Sequence, residues 1–319
     1  MAQIVTIGEI LVEIMATRIG QSFTEPGLFM GPYPSGAPAI FIDQAGRMGA
    51  GAAIAACVGD DEFATLNIER LRRSGVDTRF VRRVAGAATG SAFVTYRADG
   101  SRDFVFNIAH SAAGLLDATD LAPDLFAGCR FFHVMGSSLI NPGLAQAARC
   151  GVELARAAGA RISFDPNIRK ELLKLPEVEA TIRAILGQTD ILLPSDADLE
   201  YLCPGQDADT AARSLLAAGR ECLLLKRGAL GSVYYDREQR IGTPAFLSEE
   251  VDPTGAGDCF GGTFVASLAL GIPLPRALEL ANAAGALAVR KKGPMEGNAT
   301  LAELEAFLAT DPPRRQEVP

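Results

Sequence analysis

A mostly parallel β-sheet covered by helices on both faces, the α/β class, is the architecture this sequence predicts. Three observations carry that reading. From Phe131 onward, short apolar runs alternate with amphipathic stretches. The runs, Phe131-Phe132-His133-Val134-Met135 and Glu221-Cys222-Leu223-Leu224-Leu225-Lys226 among them, are apolar without alternation, as strands buried on both sides are. Polar residues and glycines cluster directly after the runs, where open parallel sheets bind ligands. With 319 residues, 48% hydrophobic and 21% charged, the chain has enough apolar material for a large core.

The elements follow in order. Ile4-Val5-Thr6-Ile7-Gly8-Glu9 reads as a buried strand ending at a glycine, and Leu11 to Met15 continues extended. Residues 16–35 are rich in Gly, Pro and aromatics without a helical period, which suits short strands and turns. Ala39 to Met48 reads as a helix stopped by Gly49-Ala50-Gly51. Ala52 to Val58 is a second buried strand, and Glu62 to Ser74 an amphipathic helix closed by Gly75. Ser91 to Arg97 and Arg102 to Asn107 are strand-like runs around Ala98-Asp99-Gly100-Ser101, where Asp-Gly is a hairpin signal. Further strands are expected at Arg161 to Phe164, Ile191 to Leu193 and Ser232 to Tyr235. Helices are expected near 143–158, 176–187, 196–202, 258–270, 275–290 and 300–309. Asp311 to Pro319 is polar and Pro-rich and reads as a frayed tail.

Bulk properties narrow the partners. The formal net charge is −8 and no basic block stands out, so neither nucleic acid nor an acidic membrane surface is expected. No apolar run reaches the roughly 18 residues of a spanning helix. Met1-Ala2-Gln3-Ile4-Val5 lacks the cationic start of a secretory signal, and the six cysteines are scattered without a Cys-x-x-Cys pair. Both features predict a cytoplasmic chain with reduced thiols. Two histidines cannot build a His-rich metal centre. Neither Gly-x-x-x-x-Gly-Lys-[Ser/Thr] nor a Gly-x-Gly-x-x-Gly after the first strand occurs, which disfavours P-loop and classical dinucleotide folds.

The stretch Val251-Asp252-Pro253-Thr254-Gly255-Ala256-Gly257-Asp258-Cys259-Phe260 holds the sharpest chemistry. Gly255 and Gly257 can bring backbone N–H groups close to a ligand. At the start of a helix opened by Asp258, those groups would form an anion site. An acid against such a site suits a base that deprotonates a hydroxyl attacking a phosphoryl group. An Asp N-cap after a glycine turn fits the same residues. Glu9 and Glu13, Gly136-Ser137, Asp165-Pro166-Asn167-Ile168-Arg169, Ser195-Asp196-Ala197-Asp198 and Arg227-Gly228 also follow strands. Acids, an Arg and glycines at one rim suit a magnesium–nucleotide site.

These residues resemble the ribokinase-like (PfkB) carbohydrate kinases, over roughly residues 4 to 308. Asp252 to Phe260 resembles the family's C-terminal signature. Asp165-Pro166-Asn167-Ile168-Arg169 resembles the strand-end motif of the fructokinase and 2-keto-3-deoxygluconate kinase branches. Lys226-Arg227-Gly228-Ala229-Leu230-Gly231 resembles the nucleotide-side turn, and Ser35-Gly36-Ala37-Pro38-Ala39 the N-terminal glycine motif.

The resemblance implies a ribokinase-like fold. Residues 1–13, 34–88 and 110–310 would form an α/β kinase domain, 14–33 and 89–109 a small β lid used for homodimer contact, and 311–319 a flexible tail. It implies that Asp258 is the base on a sugar hydroxyl and that the amides of Gly255, Ala256 and Gly257 form the anion hole. Glu13, Gly36, Asn167 and Arg169 would face sugar or phosphate. Lys226, Gly228, Gly231, Asn282 and Gly285 would border ATP. Asp198 would serve Mg2+, and Asp252 a monovalent cation such as K+. The pattern also departs from the family. Position 13 is Glu where Asp is common, Ser35 replaces a glycine, Ile40 replaces an Asn, and Ser195 to Asp198 replaces Asn-x-x-Glu. The expected reaction is ATP-dependent phosphorylation of a ketose such as fructose or tagatose, or of 2-keto-3-deoxygluconate. A nucleoside kinase of the same fold and a non-catalytic sugar- or nucleotide-binding regulator are the other readings.

Overall fold

The structure, a computed structural model, describes residues 1–99, 101–139, 141–168 and 176–315. The parallel strands are β1 (Ile4–Ile7), β4 (Ala52–Gly59), β5 (Val76–Asp77), β6 (Val81–Val84), β9 (Phe131–Met135), β10 (Arg161–Asp165), β11 (Ile191–Leu192) and β12 (Cys222–Lys226). Antiparallel β13 (Ser232–Tyr235) and β14 (Arg240–Thr243) extend one edge. The order is β14-β13-β12-β11-β10-β9-β1-β4-β5, with β6 also on β4.

Alternation along the strands sorts the core onto two faces. Ile4, Ile54, Ala56 and Val58 pack with α1 (Ala37–Arg47), α2 (Glu62–Arg73), α7 (Ala256–Ala269), α8 (Leu274–Ala288) and α9 (Leu301–Ala309). Val5, Ile7, Ala53, Ala55 and Cys57 pack with α3 (Pro142–Ala157), α4 (Pro176–Leu186), α5 (Asp196–Leu202) and α6 (Ala208–Ala217). His133 faces the α1 side of the sheet. It is fully buried, stacks on Phe41 at 3.7 Å, and burial holds its pKa well down. No helix among the described residues is long and apolar enough to cross a membrane.

A second sheet has the order β3-β2-β7-β8, built from β2 (Leu11–Ile19), β3 (Phe29–Ser35), β7 (Gly90–Tyr96) and β8 (Arg102–Asn107). It begins at Leu11 and ends β3 at Ser35, so it takes in residues the sequence reading leaves with the larger domain. β7 and β8 are the hairpin that Asp-Gly predicts. Contacts among the described residues knit the small sheet to the larger part of the chain. Lys292 Nζ donates to Ala16 O at 2.9 Å, Tyr33 packs on Gly293, and Arg102 reaches Thr254.

Within the polar tail, Pro313 to Arg315 pair with the main body. Leu247 N–H donates to Pro313 O and Arg315 N–H to Ala245 O, each at 2.8 Å, around a bridge between Phe246 and Arg314.

Candidate functional site

Two cavities lie beyond the carboxyl ends of the parallel strands. The larger, about 520 Å³, is lined by strand-end Asp165, Asn167, Ser195 and Lys226, by Gly228 and Gly231, and by Asn282 and Gly285 of α8. The smaller, about 290 Å³, is lined by Glu9, Glu13, Ser35, Gly36, Ile40 and Ser137, with Arg102, Phe104 and Phe106 reaching in from β8. Three residues line both: Arg102, Gly255 and Asp258.

The local chain explains this junction. Gly255 has φ 78° and is the N-cap of α7; a Cβ there would meet Pro294 O at 2.5 Å and Ile40 at 3.2 Å. Helix α7 therefore starts at Ala256, not at Asp258. Asp258 sits inside its first turn and is not the cap. The amides of Gly255 and Gly257 have no hydrogen-bond acceptor among the described residues, whereas Ala256 N–H closes a turn onto Pro253 O at 3.3 Å. The anion-binding start expected of 255–257 thus rests more on the two glycines than on Ala256.

Beneath it lies a buried charge cluster. Lys226 Nζ is ion-paired to Asp165 and would stand 3.7 Å from a Cβ on Gly257. Burial works against the ammonium, but Asp165 and Asp198 outweigh it and raise its pKa. Burial pushes Asp165 up. Asp165 Oδ1 also accepts Asn167 N–H at 3.1 Å, which holds Asn167 at φ 36°, a strained value for a side-chain-bearing residue. Asn167 Nδ2 then donates to Asp258 Oδ1 at 3.4 Å. Asn167, which the resemblance sets against sugar or phosphate, stands on the wall of the larger cavity against the acid. Arg169 lies outside the described residues.

Asp198 lines the larger cavity. Its Oδ1 accepts Ile168 N–H at 2.8 Å, and its Oδ2 accepts the Ser195 amide and hydroxyl at 2.8 and 2.6 Å in a capping box. Among the described residues no group of three or more His, Cys, Asp or Glu is placed to hold a metal ion. Mg2+ takes most of its ligands from water and phosphate oxygens and needs only one or two carboxylates. This donor set fits a cation that arrives on a phosphate chain, not one caged by protein. Asp252 lines neither cavity and is 1% exposed. It accepts from Thr254 N–H and Oγ1 and from Gly293 N–H, tying two loops together. Thr254 Oγ1 in turn accepts from Arg102 at 2.6 Å.

In the smaller cavity the carboxylates are pinned by serines. Ser35 Oγ donates to Glu13 Oε1 at 2.8 Å, and Ser138 Oγ to Glu9 Oε2 at 2.5 Å. Gly36, at φ 111°, caps α1 where any Cβ would strike the Glu9 carbonyl. Ser137 Oγ is buried without a hydrogen-bond partner among the described residues. Cys259, beside the acid, is fully buried, and burial pushes its thiol well up, so it packs and does not react.

Sequence reasoning names Arg102 only as a group near the lid and leaves Ser137 among strand-end residues without a role. The spacing Arg102, Phe104, Phe106 along one strand face was the available signal.

The family described as "pfkB family carbohydrate kinase" matches residues 1–301. "Fructokinase-1" of Oryza sativa subsp. japonica is 38% identical over 300 residues, 91% of this chain and 92% of that protein. "Fructokinase-1" of Zea mays is 37% identical over 311 residues, 94% and 96% of the two chains. A "putative Ribokinase II" from E. coli, solved in complex with ATP and Mg2+, superposes with a TM-score of 0.93 at 47% identity, covering 97% of this chain and all of that one. "Fructokinase with bound ATP" from Xylella fastidiosa gives a TM-score of 0.85 at 25% identity over 98% and 99%. With the ribokinase-like fold, these matches make the chain a member of the pfkB family, an ATP-dependent carbohydrate kinase.

Proposed function

We propose that the larger cavity holds ATP, the smaller holds a neutral ketose, and Asp258 is the base that activates the sugar hydroxyl. The observation that carries this is the sharing of Asp258, Gly255 and Arg102 by both cavities. A hydroxyl entering from one side and a γ-phosphoryl from the other meet at a carboxylate and at the start of α7. Asp258, oriented by Asn167, takes the proton as the oxygen attacks in line. The Gly255 and Gly257 amides, with Lys226 beneath, stabilise charge on the transferring oxygens. Magnesium bound with the nucleotide would neutralise phosphate charge, and Asp198 is the acid we assign to it.

Glu9, Glu13 and Ser137 suit sugar hydroxyls, and among the described lining residues two carboxylates stand with one arginine that bonds Thr254, which favours a neutral sugar over a sugar acid. Two relatives named fructokinase agree with a ketose. The β2-β3-β7-β8 sheet then acts as the lid that excludes water. Its exposed Ile19, Leu28, Met30 and Val105 favour pairing of two chains, which sedimentation velocity measures. Asp252, tying the loops behind the junction, would stand beside a monovalent cation such as K+.

The test is Asp258→Asn. Turnover in a coupled ADP-release assay over ketoses, aldoses, sugar acids and nucleosides should fall by about 10²–10⁴-fold, with ATP binding kept. Undiminished turnover would sink the mechanism, and a preference for a sugar acid would sink the ketose reading.

A further inference from the structure

The chain's last described residues reach the larger cavity. The bridge between Phe246 and Arg314 holds them in extended pairing, where neighbouring side chains point to opposite sides. Arg314 turns outward: its guanidinium lies 4.3 Å from the centre of the Phe246 ring and pairs with Glu279 at 3.0 Å. Arg315 takes the opposite side and lines the cavity, with its backbone fixed on Ala245 O.

Three cations line this cavity among the described residues: Arg102, Lys226 and Arg315. Arg102 bonds Thr254 and Lys226 pairs with Asp165. The Arg315 side chain has no hydrogen bond or ion pair with any described residue. Its backbone bonds Ala245, and the cavity lining also takes in Phe246, Ala286 and Val289 together with Ser248 and Glu250. The apolar members of that lining suit a nucleobase, while Lys226 and Gly257 mark the phosphate end. A planar guanidinium stacks on an aromatic face, which a lysine ammonium does not reproduce.

We propose that Arg315 is a nucleotide-binding residue, its guanidinium stacked on the purine and delivered by the docked C-terminal segment. This rests on the larger cavity being the ATP site. Calorimetric titration of ATP, ADP and adenosine into Arg315→Ala, Arg315→Lys and Gly285→Leu tests both. Melting curves check that each variant is folded. Arg315→Ala should raise Kd about two- to fivefold for all three ligands, and Arg315→Lys should recover little of it. Weakening of ATP but not adenosine, or full recovery by lysine, overturns the stack. A loss of ATP binding in Gly285→Leu with none in Arg315→Ala overturns the tail's role and leaves the ATP site standing. If neither variant changes ATP binding, the assignment of the cavity fails, and the inference with it.

Discussion

Glu13 and Ser35 depart from the family pattern together, and the structure pairs them. The longer acid is met by a hydroxyl at 2.8 Å where the pattern has a glycine without one. The two changes compensate, so the carboxylate stays fixed while its position shifts by a methylene. Removing the hydroxyl deletes one of the contacts that position Glu13. A buried hydrogen bond of this kind contributes about 0.5–1.5 kcal/mol, so Ser35→Ala should raise the sugar KM about two- to tenfold. ATP KM should hold, because Ser35 lines only the smaller cavity. Initial rates at saturating ATP decide it, and an unchanged sugar KM would mean Glu13 is held by other groups. Ile40 is the third departure. It packs against Gly255, so an apolar wall stands beside the start of α7 where the family pattern carries an amide.

At the scale of elements, Asp61 shows how one side chain sets an entire join. It caps α2 through Ala64 N–H at 2.9 Å and also accepts the Thr89 amide and hydroxyl at 2.8 and 2.7 Å, just before β7. Burial works against its charge, but these hydrogen bonds outweigh it and hold its pKa below the usual carboxylate range. A depressed folded pKa means stability that is present above the unfolded value of about 3.9 and lost as pH falls through the folded one. Asp61→Ala should therefore cost about 0.5–2 kcal/mol at neutral pH. The gap from the parent should close as pH drops below about 4. Urea melts from pH 7 to 3 measure this, and a pH-independent gap would refute the ionic part.

The helices with strong caps or clear periodicity were legible in sequence, among them α1, α2 and α3. Helix α6 was not recognised, although Asp207 caps it and Ala211, Ala212, Leu215 and Leu216 form its buried face. The run follows a Pro-Gly turn and is only 10 residues long, with alanines supplying half of its buried face and so few large apolar side chains to mark it. Within the site, the glycine-and-acid motif and the strand-end residues could be read because local backbone demands specify them. The Lys226–Asp165 pair, the Arg102–Thr254 contact and the docked Arg315 join residues 61, 152 and about 70 positions apart, the last as the span from Ala245 to Arg315. Only the sheet order brings such groups together.

For the molecule as a whole, the site is a joint product of two sheets. The central sheet supplies Asp165, Lys226 and the approach to α7; the smaller one supplies Glu13, Arg102 and Phe104. Among the contacts that hold them are Lys292 to Ala16, Tyr33 on Gly293, and Arg102 to Thr254. All three end on the loops that Asp252 ties, so movement of the small sheet is transmitted to the turn before α7. On the proposed assignment of the two cavities, sugar and nucleotide binding should be coupled, each tightening the other by the same factor in calorimetric titrations.

The opening between the cavities, framed by Arg102, Gly255 and Asp258, has a cost when the sugar is absent. On the assignment proposed above, solvent entering there would face the same base and the same phosphate as the acceptor does. The expected consequence is a leak: slow ATP hydrolysis without any acceptor, suppressed when a sugar fills the opening. Arg102→Ala widens that opening and should raise the acceptor-free rate of phosphate release relative to sugar phosphorylation. A ratio unmoved by the substitution would locate the water barrier elsewhere.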